Sequence, residues 1–160
     1  MAAYRYGERS LAQQATLHPH LRTILGRVLE EADHAILQGA RSEAEQWAAF
    51  RAGRSRLHPP EGPHLVRADG WAYAADIVPC LQGRPIETGA EGFGPLQHAQ
   101  FAWFLRGVRE TGRAYFADLR ERTGERWRLR FGIDWDEDGQ ILTDQSFQDW
   151  FHVELLREEG

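Results

Sequence analysis

Two histidines and one aspartate attract attention because of the residues that surround them. His64 ends a long loop, and Asp76 follows it twelve residues later, between an alanine and an isoleucine. His152 lies among large apolar side chains in the segment Trp-Phe-His-Val. A carboxylate inside an apolar segment needs a partner, and a metal ion is one such partner. Two histidines and an aspartate could supply three ligands of a catalytic zinc ion and leave its fourth position to water.

Asp149 adds a group that could act as a base at such a site. It lies three residues before His152, where its carboxylate could take a proton from water. The gaps of 12 and 76 residues between the three candidate ligands match no short zinc signature, and the HExxH pattern is absent. On residue types and spacing alone, a metal centre and a set of unrelated polar residues both stay open.

The composition is that of a globular protein with an excess of acidic side chains. The chain has 160 residues, of which 42% are hydrophobic, and its 24 acidic and 19 basic side chains give a formal net charge of −5. This charge argues against a nucleic-acid partner, because binding phosphates requires a concentrated basic face. The single cysteine, Cys80, excludes a disulfide within the chain. No apolar run approaches the about 18 residues of a membrane-spanning helix, so stable membrane insertion is not expected.

Length and the first residues of the sequence lead to further expectations. A length of this order is typical of one domain, so we expect a single domain over residues 1–160. We also expect a monomer. The first residues lack the apolar core of a secretory signal, which predicts a protein made in the cytoplasm that stays there unless another factor releases it.

Apolar periodicity predicts about three helices. Ser42 and Glu45 fit a capping box at the start of the second helix. Residues 1–17 show no such periodicity and are expected to be irregular. The predicted helices cover 19–32, 43–52 and 95–122, the last with an interruption at Gly112.

Short segments of alternating or continuous apolar residues predict strands. The predicted strands cover 35–37, 71–78, 127–131 and 151–155. Pro79 is expected to end the second strand, because proline cannot donate to a sheet ladder. Segments 54–70 and 80–94 are rich in glycine, proline or arginine and are predicted to be loops. These elements predict an α+β fold with a small, mostly antiparallel sheet packed against about three helices.

Several segments, taken in chain order, carry a resemblance to a known family. They are Tyr6-Gly-Glu-Arg-Ser10-Leu with His18-Pro-His-Leu21, Gly39-Ala-Arg41-Ser-Glu-Ala-Glu-Gln46, His64 through Ala74-Ala-Asp76-Ile, Asp134-Trp-Asp-Glu-Asp-Gly139, and Asp149-Trp-Phe-His152-Val-Glu-Leu155. Together they resemble phage endolysins that cleave the L-alanyl-D-glutamate bond of bacterial peptidoglycan, within the zinc D-alanyl-D-alanine carboxypeptidase superfamily. The resemblance covers nearly the whole chain and implies the hedgehog/DD-peptidase-like form of the α+β fold.

The resemblance implies a role for each of five residues. His64, Asp76 and His152 match zinc ligands, and Asp149 matches the general base. Arg41 matches an arginine of the active-site cleft, where a guanidinium could polarise the scissile carbonyl or hold a substrate carboxylate. A structural ion pair is the alternative for Arg41. The implied protein is a zinc peptidase of peptidoglycan stem peptides that acts on the cell wall after release, with D-alanyl-D-alanine as the rival bond.

The chain departs from the family motif in the loop between the first two candidate ligands. His64 and Asp76 are further apart than in the motif, and the extra residues are placed at 66–70. If this placement is wrong, His58 and Asp69 are the rival ligands. A serine and a glycine of the motif are also replaced, by proline and alanine. These departures keep a non-catalytic metal-binding module of the same fold open as an alternative.

A second metal site is suggested by the acidic turn over 134–139. Asp134, Asp136 and Asp138 occupy positions 1, 3 and 5 of an EF-hand-type loop, with a glycine at position 6. Position 12 is Gln145 rather than the bidentate glutamate, and no flanking helices are predicted. Calcium binding and a simple acidic hairpin turn therefore both stay open.

Overall fold

The computed structural model of the chain describes residues 4–86, 95–134, 137 and 150–159. Along the chain its elements are α1 (Glu8–Gln14), α2 (Pro19–Glu31), β1 (His34–Gln38), α3 (Glu43–Arg51), β2 (Ala74–Leu81), β3 (Arg84–Pro85), α4 (Pro95–Thr123), β4 (Arg126–Phe131) and β5 (His152–Glu158). The α+β class is confirmed, and the described residues contain four helices rather than about three. None of these helices is long and apolar enough to cross a bilayer.

The strands form a small sheet in the order β1-β2-β5-β4, and β3 pairs with the far end of β2. Each described strand pairing is antiparallel, as expected from the sequence. In the register of β2 and β5, Asp76 pairs with His152. In the register of β4 and β5, Arg130 pairs with Glu154. The sheet therefore joins β2, near the middle of the chain, to β5, near its end.

One face of the sheet carries the core. Ile77, Val153 and Leu155 are fully or almost fully buried on this face. Helix α4 packs against β2, β4 and α2, and α2 adds its apolar face, whose buried residues are Leu21, Ile24, Leu25 and Val28. Burying a side chain of this kind stabilises the fold by about 1.5–3 kcal/mol. The opposite face of β2 and β5 is left for polar residues.

Helix α4 runs without interruption through Gly112, contrary to expectation. This glycine is buried, and a Cβ atom built on it would lie 2.7 Å from Cδ1 of Leu129 on β4. The missing side chain therefore lets the helix and the strand approach closely. Glycine has a low helix propensity, but here tertiary packing decides and the helix continues.

Strand β2 starts later than predicted and continues through Pro79, so the prediction that Pro79 ends the strand is wrong. Ile77 donates its backbone N–H to Phe151 on the β5 side at 2.9 Å. The pairing with β5 covers only 74–76 of β2, and beyond it the carbonyl of Pro79 accepts the N–H of Ile86, just after β3, at 3.0 Å. Pro79 therefore stays in the strand as an acceptor at the end of the pairing with β3, where its missing N–H removes only one terminal hydrogen bond.

Residues 84–85 form β3 instead of belonging to a loop over 80–94. Leu81 pairs with Arg84, and the two residues between them, Gln82 and Gly83, have φ values of 53° and 77°. Positive φ at both central positions is the geometry of a two-residue hairpin turn, which glycine favours. The rest of that predicted loop, residues 87–94, lies outside the described residues.

Helix α1 occupies part of the segment that was expected to be irregular. It packs along the outer edge of β1, and its contacts there are polar. Ser10 Oγ accepts a hydrogen bond from the N–H of Ile36, Gln13 Oε1 from that of Gly39, and, just after the helix, Thr16 Oγ1 from that of Ala40. Apolar periodicity could not predict a helix whose role is to supply hydrogen-bond acceptors to a sheet edge.

Candidate metal centre

The structure brings His64, Asp76 and His152 together. Each offers one ligand atom, and these atoms lie within 4.8 Å of one another. Among the described residues, no other group of His, Cys, Asp or Glu side chains is arranged in this way. The distance in sequence between the first and last of the three is closed by the pairing of β2 with β5.

Strand alternation explains why Asp76 can lie between two apolar residues. Ala75 and Ile77 are fully buried on the core face, so Asp76 points to the opposite face. His152 is its direct partner on β5, and directly opposite residues of a ladder place their side chains on the same face. The sheet therefore sets two of the three candidate ligands side by side.

His64 reaches this face from the long loop that precedes β2. Its backbone carbonyl accepts the N–H of Arg41 at 2.8 Å, and Leu65 forms a parallel bridge with Arg41. The Nδ1 atom of His64 is 2.8 Å from the carbonyl oxygen of Gly39. Since a carbonyl only accepts, Nδ1 carries a proton, and Nε2 is the ring nitrogen that His64 turns toward the other two residues.

Nε2 of His64 faces the carboxylate of Asp76. It lies 3.2 Å from Oδ1, and Oδ1 is buried without a hydrogen bond among the described residues. A buried carboxylate oxygen at this distance from an imidazole nitrogen requires a proton or a cation between them. Two imidazole nitrogens and a carboxylate oxygen form a donor set that suits zinc. The residues present therefore fit a bound metal ion.

The third candidate ligand is supported by a buried carboxylate. His152 Nδ1 lies 3.7 Å from Asp76 Oδ1, and its Nε2 lies 3.9 Å from Oε2 of Glu154. Glu154 is only 4% exposed. Its Oε1 accepts a hydrogen bond from Nε of Arg130 at 2.7 Å and forms an ion pair with Nη2 of Arg130 at 2.6 Å. A carboxylate behind a ligand histidine orients the ring and raises its basicity.

The electrostatics of the cluster favour a cation. Burial alone would raise the pKa of the Asp76 carboxyl, but the facing imidazoles of His152 and His64 hold it well below its usual range. Burial alone would lower the pKa of His152, but Asp76 and Glu154 outweigh this and raise it to about 9. The carboxylates therefore attract positive charge to this pocket, and a metal ion that binds there displaces a proton.

Arg41 is held beside this cluster by neutral groups. Its Nε and Nη2 donate to Oε1 of Gln38 at 3.1 and 2.6 Å, and its Nη1 donates to Oε1 of Gln46 at 2.9 Å. Among the described residues, no carboxylate forms an ion pair with it. The described part of the chain therefore does not provide the structural ion pair considered as the alternative for Arg41.

The two rival ligands, His58 and Asp69, contact other residues and not the cluster. His58 stacks on Trp47 with ring centroids 5.1 Å apart. Asp69 is exposed and accepts a hydrogen bond from the hydroxyl of Tyr73 at 2.6 Å. Neither belongs to the group of residues whose ligand atoms converge.

Several predicted site residues are not covered by the structure. Asp149, Asp136 and Asp138 lie outside the described residues. Asp134 is buried, and Glu137, which lies within the same acidic turn, forms an ion pair with Arg128 at 2.7 Å. Calcium binding by the acidic turn and the role of Asp149 as a base stay predictions.

Sequence reasoning did not single out Gln38, Arg130 or the amide of Gln46. Gln46 stands at the end of the motif that contains Arg41, which was the one available signal. The contacts of Gln38 and Arg130 depend on pairing between strands that are distant in sequence. Their proximity to the cluster becomes visible only with the register of the sheet.

An antiparallel sheet that carries a His-Asp-His cluster on one face and helices on the other defines a candidate metallohydrolase. The model of the phage L-alanyl-D-glutamate peptidase family matches residues 2–156, and the chain belongs to this family. The resemblance inferred from the sequence segments is thereby confirmed.

One relative and two solved structures are similar to this chain. The chain is 27% identical over 158 residues to the L-alanyl-D-glutamate peptidase of Escherichia phage T5, covering 96% of this chain and 99% of that protein. The crystal structure of the Serratia marcescens L-Ala D-Glu endopeptidase ChiX matches with a TM-score of 0.58 and 20% identity, over 95% of this chain and 90% of that one. This match shows the same fold. The vancomycin-resistance D,D-dipeptidase VanXYg aligns with a TM-score of 0.40 and 13% identity, over 84% of this chain and 47% of that one.

Proposed function

We propose that this chain is a zinc peptidase that hydrolyses the L-alanyl-D-glutamate bond of peptidoglycan stem peptides. The observation that carries the proposal is the convergence of His64, Asp76 and His152, with Nε2 of His64 facing a buried carboxylate oxygen of Asp76. Family membership and a curated relative named for this bond, aligned over nearly its full length, support the choice of substrate.

In the proposed mechanism His64, Asp76 and His152 hold the metal ion. The chemistry that zinc supplies when bound is Lewis acidity, which polarises the scissile carbonyl and lowers the pKa of water. Asp149 takes a proton from the attacking water as its oxygen bonds to the amide carbon. Asp149 then gives this proton to the leaving nitrogen as the carbon–nitrogen bond breaks. The Arg41 guanidinium stabilises the negative charge that develops on the carbonyl oxygen or holds a substrate carboxylate.

The wider role follows from this chemistry. We propose that residues 1–160 form one catalytic domain of an endolysin that works as a monomer, is made in the host cytoplasm and acts on the bacterial wall after release. Calcium binding at Asp134, Asp136 and Asp138 is proposed as a second, structural metal site. A nucleic-acid partner is not proposed, since the chain carries a formal net charge of −5.

Mass spectrometry of digested peptidoglycan tests the proposed reaction. Zinc-loaded wild type is expected to release stem peptides with a new amino terminus at D-glutamate, and Asp149→Ala is expected to release none while keeping its metal. Release of free D-alanine would identify D-alanyl-D-alanine as the bond instead. Bound zinc without hydrolysis of several wall types would contradict the proposal and favour a non-catalytic metal-binding module.

A further inference from the structure

The way in which Arg41 is held distinguishes it from other arginines of the chain. Three of its N–H groups are bound by two side-chain amide oxygens. In contrast, several arginines of the described part of the chain form ion pairs with carboxylates: Arg113 with Glu110, Arg122 with Asp118, Arg128 with Glu137 and Glu158, Arg130 with Glu154, and Arg157 with Glu125. A carboxylate both orients a guanidinium and compensates its charge, whereas an amide oxygen orients it and leaves the charge in place.

Gln46 is buried, and hydrogen bonds fix its side-chain amide. It is 1% exposed, and its Nε2 donates to the carbonyl of Leu57 at 2.6 Å and to Ser55 Oγ at 2.9 Å. Because a carbonyl can only accept, the amide nitrogen must face Leu57 and the amide oxygen must face Arg41. The orientation of the Gln46 amide is therefore fixed by the loop that follows α3.

The same loop packs closely over this amide before it reaches His64. Gly62 has a φ of 143°, and a Cβ atom built on it would lie 3.0 Å from Cδ of Gln46. A side chain at this position would therefore press on the amide. Gln46 thus connects the guanidinium of Arg41 with the loop that delivers a candidate metal ligand.

Gln38 connects Arg41 with the sheet. It is the last residue of β1, and its Oε1 accepts hydrogen bonds from both Nε and Nη2 of Arg41. Gln38 pairs with Asp76 across β1 and β2, and Asp76 pairs with His152 across β2 and β5. After the irregularity in register between Ile36 and Gln38, the three residues form one row across three strands, so Gln38 is the neighbour of Asp76 and lies two strands from His152.

We infer that Gln38 and Gln46 are positioning residues that fix the Arg41 guanidinium beside the metal centre through neutral acceptors and so keep its positive charge for an anionic group of the substrate. This inference rests on the proposed function and deepens it. The group that Arg41 would meet is a peptide carboxylate or the carbonyl oxygen that becomes negative during hydrolysis. The two other N–H groups of the guanidinium form no hydrogen bond with the described residues and would bind it.

Replacing the amide by a carboxylate separates this role from a structural one. Gln38→Glu keeps the acceptor oxygen and is nearly the same size, so it should hold Arg41 at least as firmly. If Gln38 only anchors the arginine, activity is expected to stay at the wild-type level. If the charge of Arg41 must stay uncompensated, kcat/KM is expected to fall about tenfold or more, with zinc content and Tm unchanged. A fall in kcat indicates stabilisation of the developing oxyanion, and a rise in KM indicates capture of a substrate carboxylate.

Matched variants complete the experiment. Gln82→Glu changes the net charge equally in the exposed turn between β2 and β3 and is expected to leave kcat/KM unchanged. Gln46→Glu repeats the test at the other amide that binds Arg41. Because this variant also places a carboxylate against the carbonyl of Leu57, its kcat/KM is compared with wild type at a Tm equal to that of wild type. Wild-type kcat/KM in Gln38→Glu would overturn the inference.

A second readout does not depend on turnover. In the zinc-loaded protein labelled with nitrogen-15, the Arg41 Nε–H signal is titrated with inorganic phosphate. Wild type and Gln82→Glu are expected to bind phosphate at Arg41 with the same affinity. Gln38→Glu is expected to bind it at least about tenfold more weakly. Equal affinities in all three would overturn the inference. Absence of peptidoglycan hydrolysis by wild type would refute the proposed function, and the phosphate titration would still decide the role of Gln38.

Discussion

His152 lies directly opposite Asp76 in the ladder between β5 and β2, and its Nδ1 atom is 3.7 Å from the Asp76 carboxylate. This relationship is a property of the register of the sheet. Because side chains alternate between faces, a shift of one residue would turn one of the two side chains into the core. The same register buries Val153 and Leu155, so the packing of the core and the geometry of the candidate metal centre are fixed together.

Paired substitutions test which aspartate binds the metal. Asp76→Asn removes the buried carboxylate between the two imidazoles, and we expect zinc affinity to fall by more than the about 10–100-fold typical of residues behind the ligands. Asp69→Asn is the matched control, because Asp69 is exposed and bonded to Tyr73. Competition with a chromogenic chelator measures both affinities. Loss of zinc from Asp69→Asn with normal binding by Asp76→Asn would show that the loop was aligned incorrectly.

Glu154 is expected to affect zinc affinity without binding the metal itself. Glu154→Gln removes the charge beside His152 and the carboxylate to which Arg130 donates. We expect about 10–100-fold weaker zinc binding. Glu158→Gln, four residues further along β5 and paired with Arg128, is expected to bind zinc like wild type. Equal affinities for the two variants would show that the Glu154 carboxylate does not support His152.

The metal-depleted protein is expected to lose stability as the solution becomes alkaline. The pKa of His152 rises from 6.5 to about 9 on folding, so its contribution is fully present below pH 6.5 and is lost as the pH rises through about 9. Urea unfolding between pH 6 and 10 measures this. His152→Gln in the same metal-depleted state is expected to show a smaller decline. An identical decline in both proteins would exclude His152 as its cause.

Two glycines of α4 are expected to respond to alanine in opposite ways. Gly112→Ala would place a Cβ atom 2.7 Å from Cδ1 of Leu129, and overpacking of this kind costs about 1–3 kcal/mol. Gly107 has no atom within 4 Å of an added Cβ, so Gly107→Ala should stabilise the protein by about 0.5–1 kcal/mol. Urea midpoints compare the two. A stabilised Gly112→Ala would mean that the helix and β4 do not approach so closely.

The elements that the sequence predicted are those stabilised by apolar periodicity or a local signal. The second and third helices of the chain, α2 and α3, have the apolar face and the capping box that were expected. Helix α1 was missed because polar side chains hold it to a sheet edge. The predictions of a helix interruption at Gly112 and a strand end at Pro79 were wrong because both considered only the residue's own backbone preference. Whether the helix or strand continues depends on the residues that pack against or pair with each position.

The candidate site divides in the same way. His64, Asp76 and His152 were named because residue type and resemblance identify them without knowledge of the register. Gln38 and Arg130 became candidates only when the sheet placed them next to Asp76 and Glu154. Contacts between residues far apart in sequence carry no local signal, so the roles of Gln38 and Arg130 could not be predicted from this sequence alone.

Reconstitution with zinc tests the central claim most directly. Metal-depleted protein is titrated with zinc while the release of amino groups from purified peptidoglycan is followed. We predict negligible hydrolysis without metal, a rise that ends at about one zinc ion per chain, and no recovery in Asp76→Asn. Hydrolysis by the fully depleted protein at the rate of the zinc-loaded one would contradict the account.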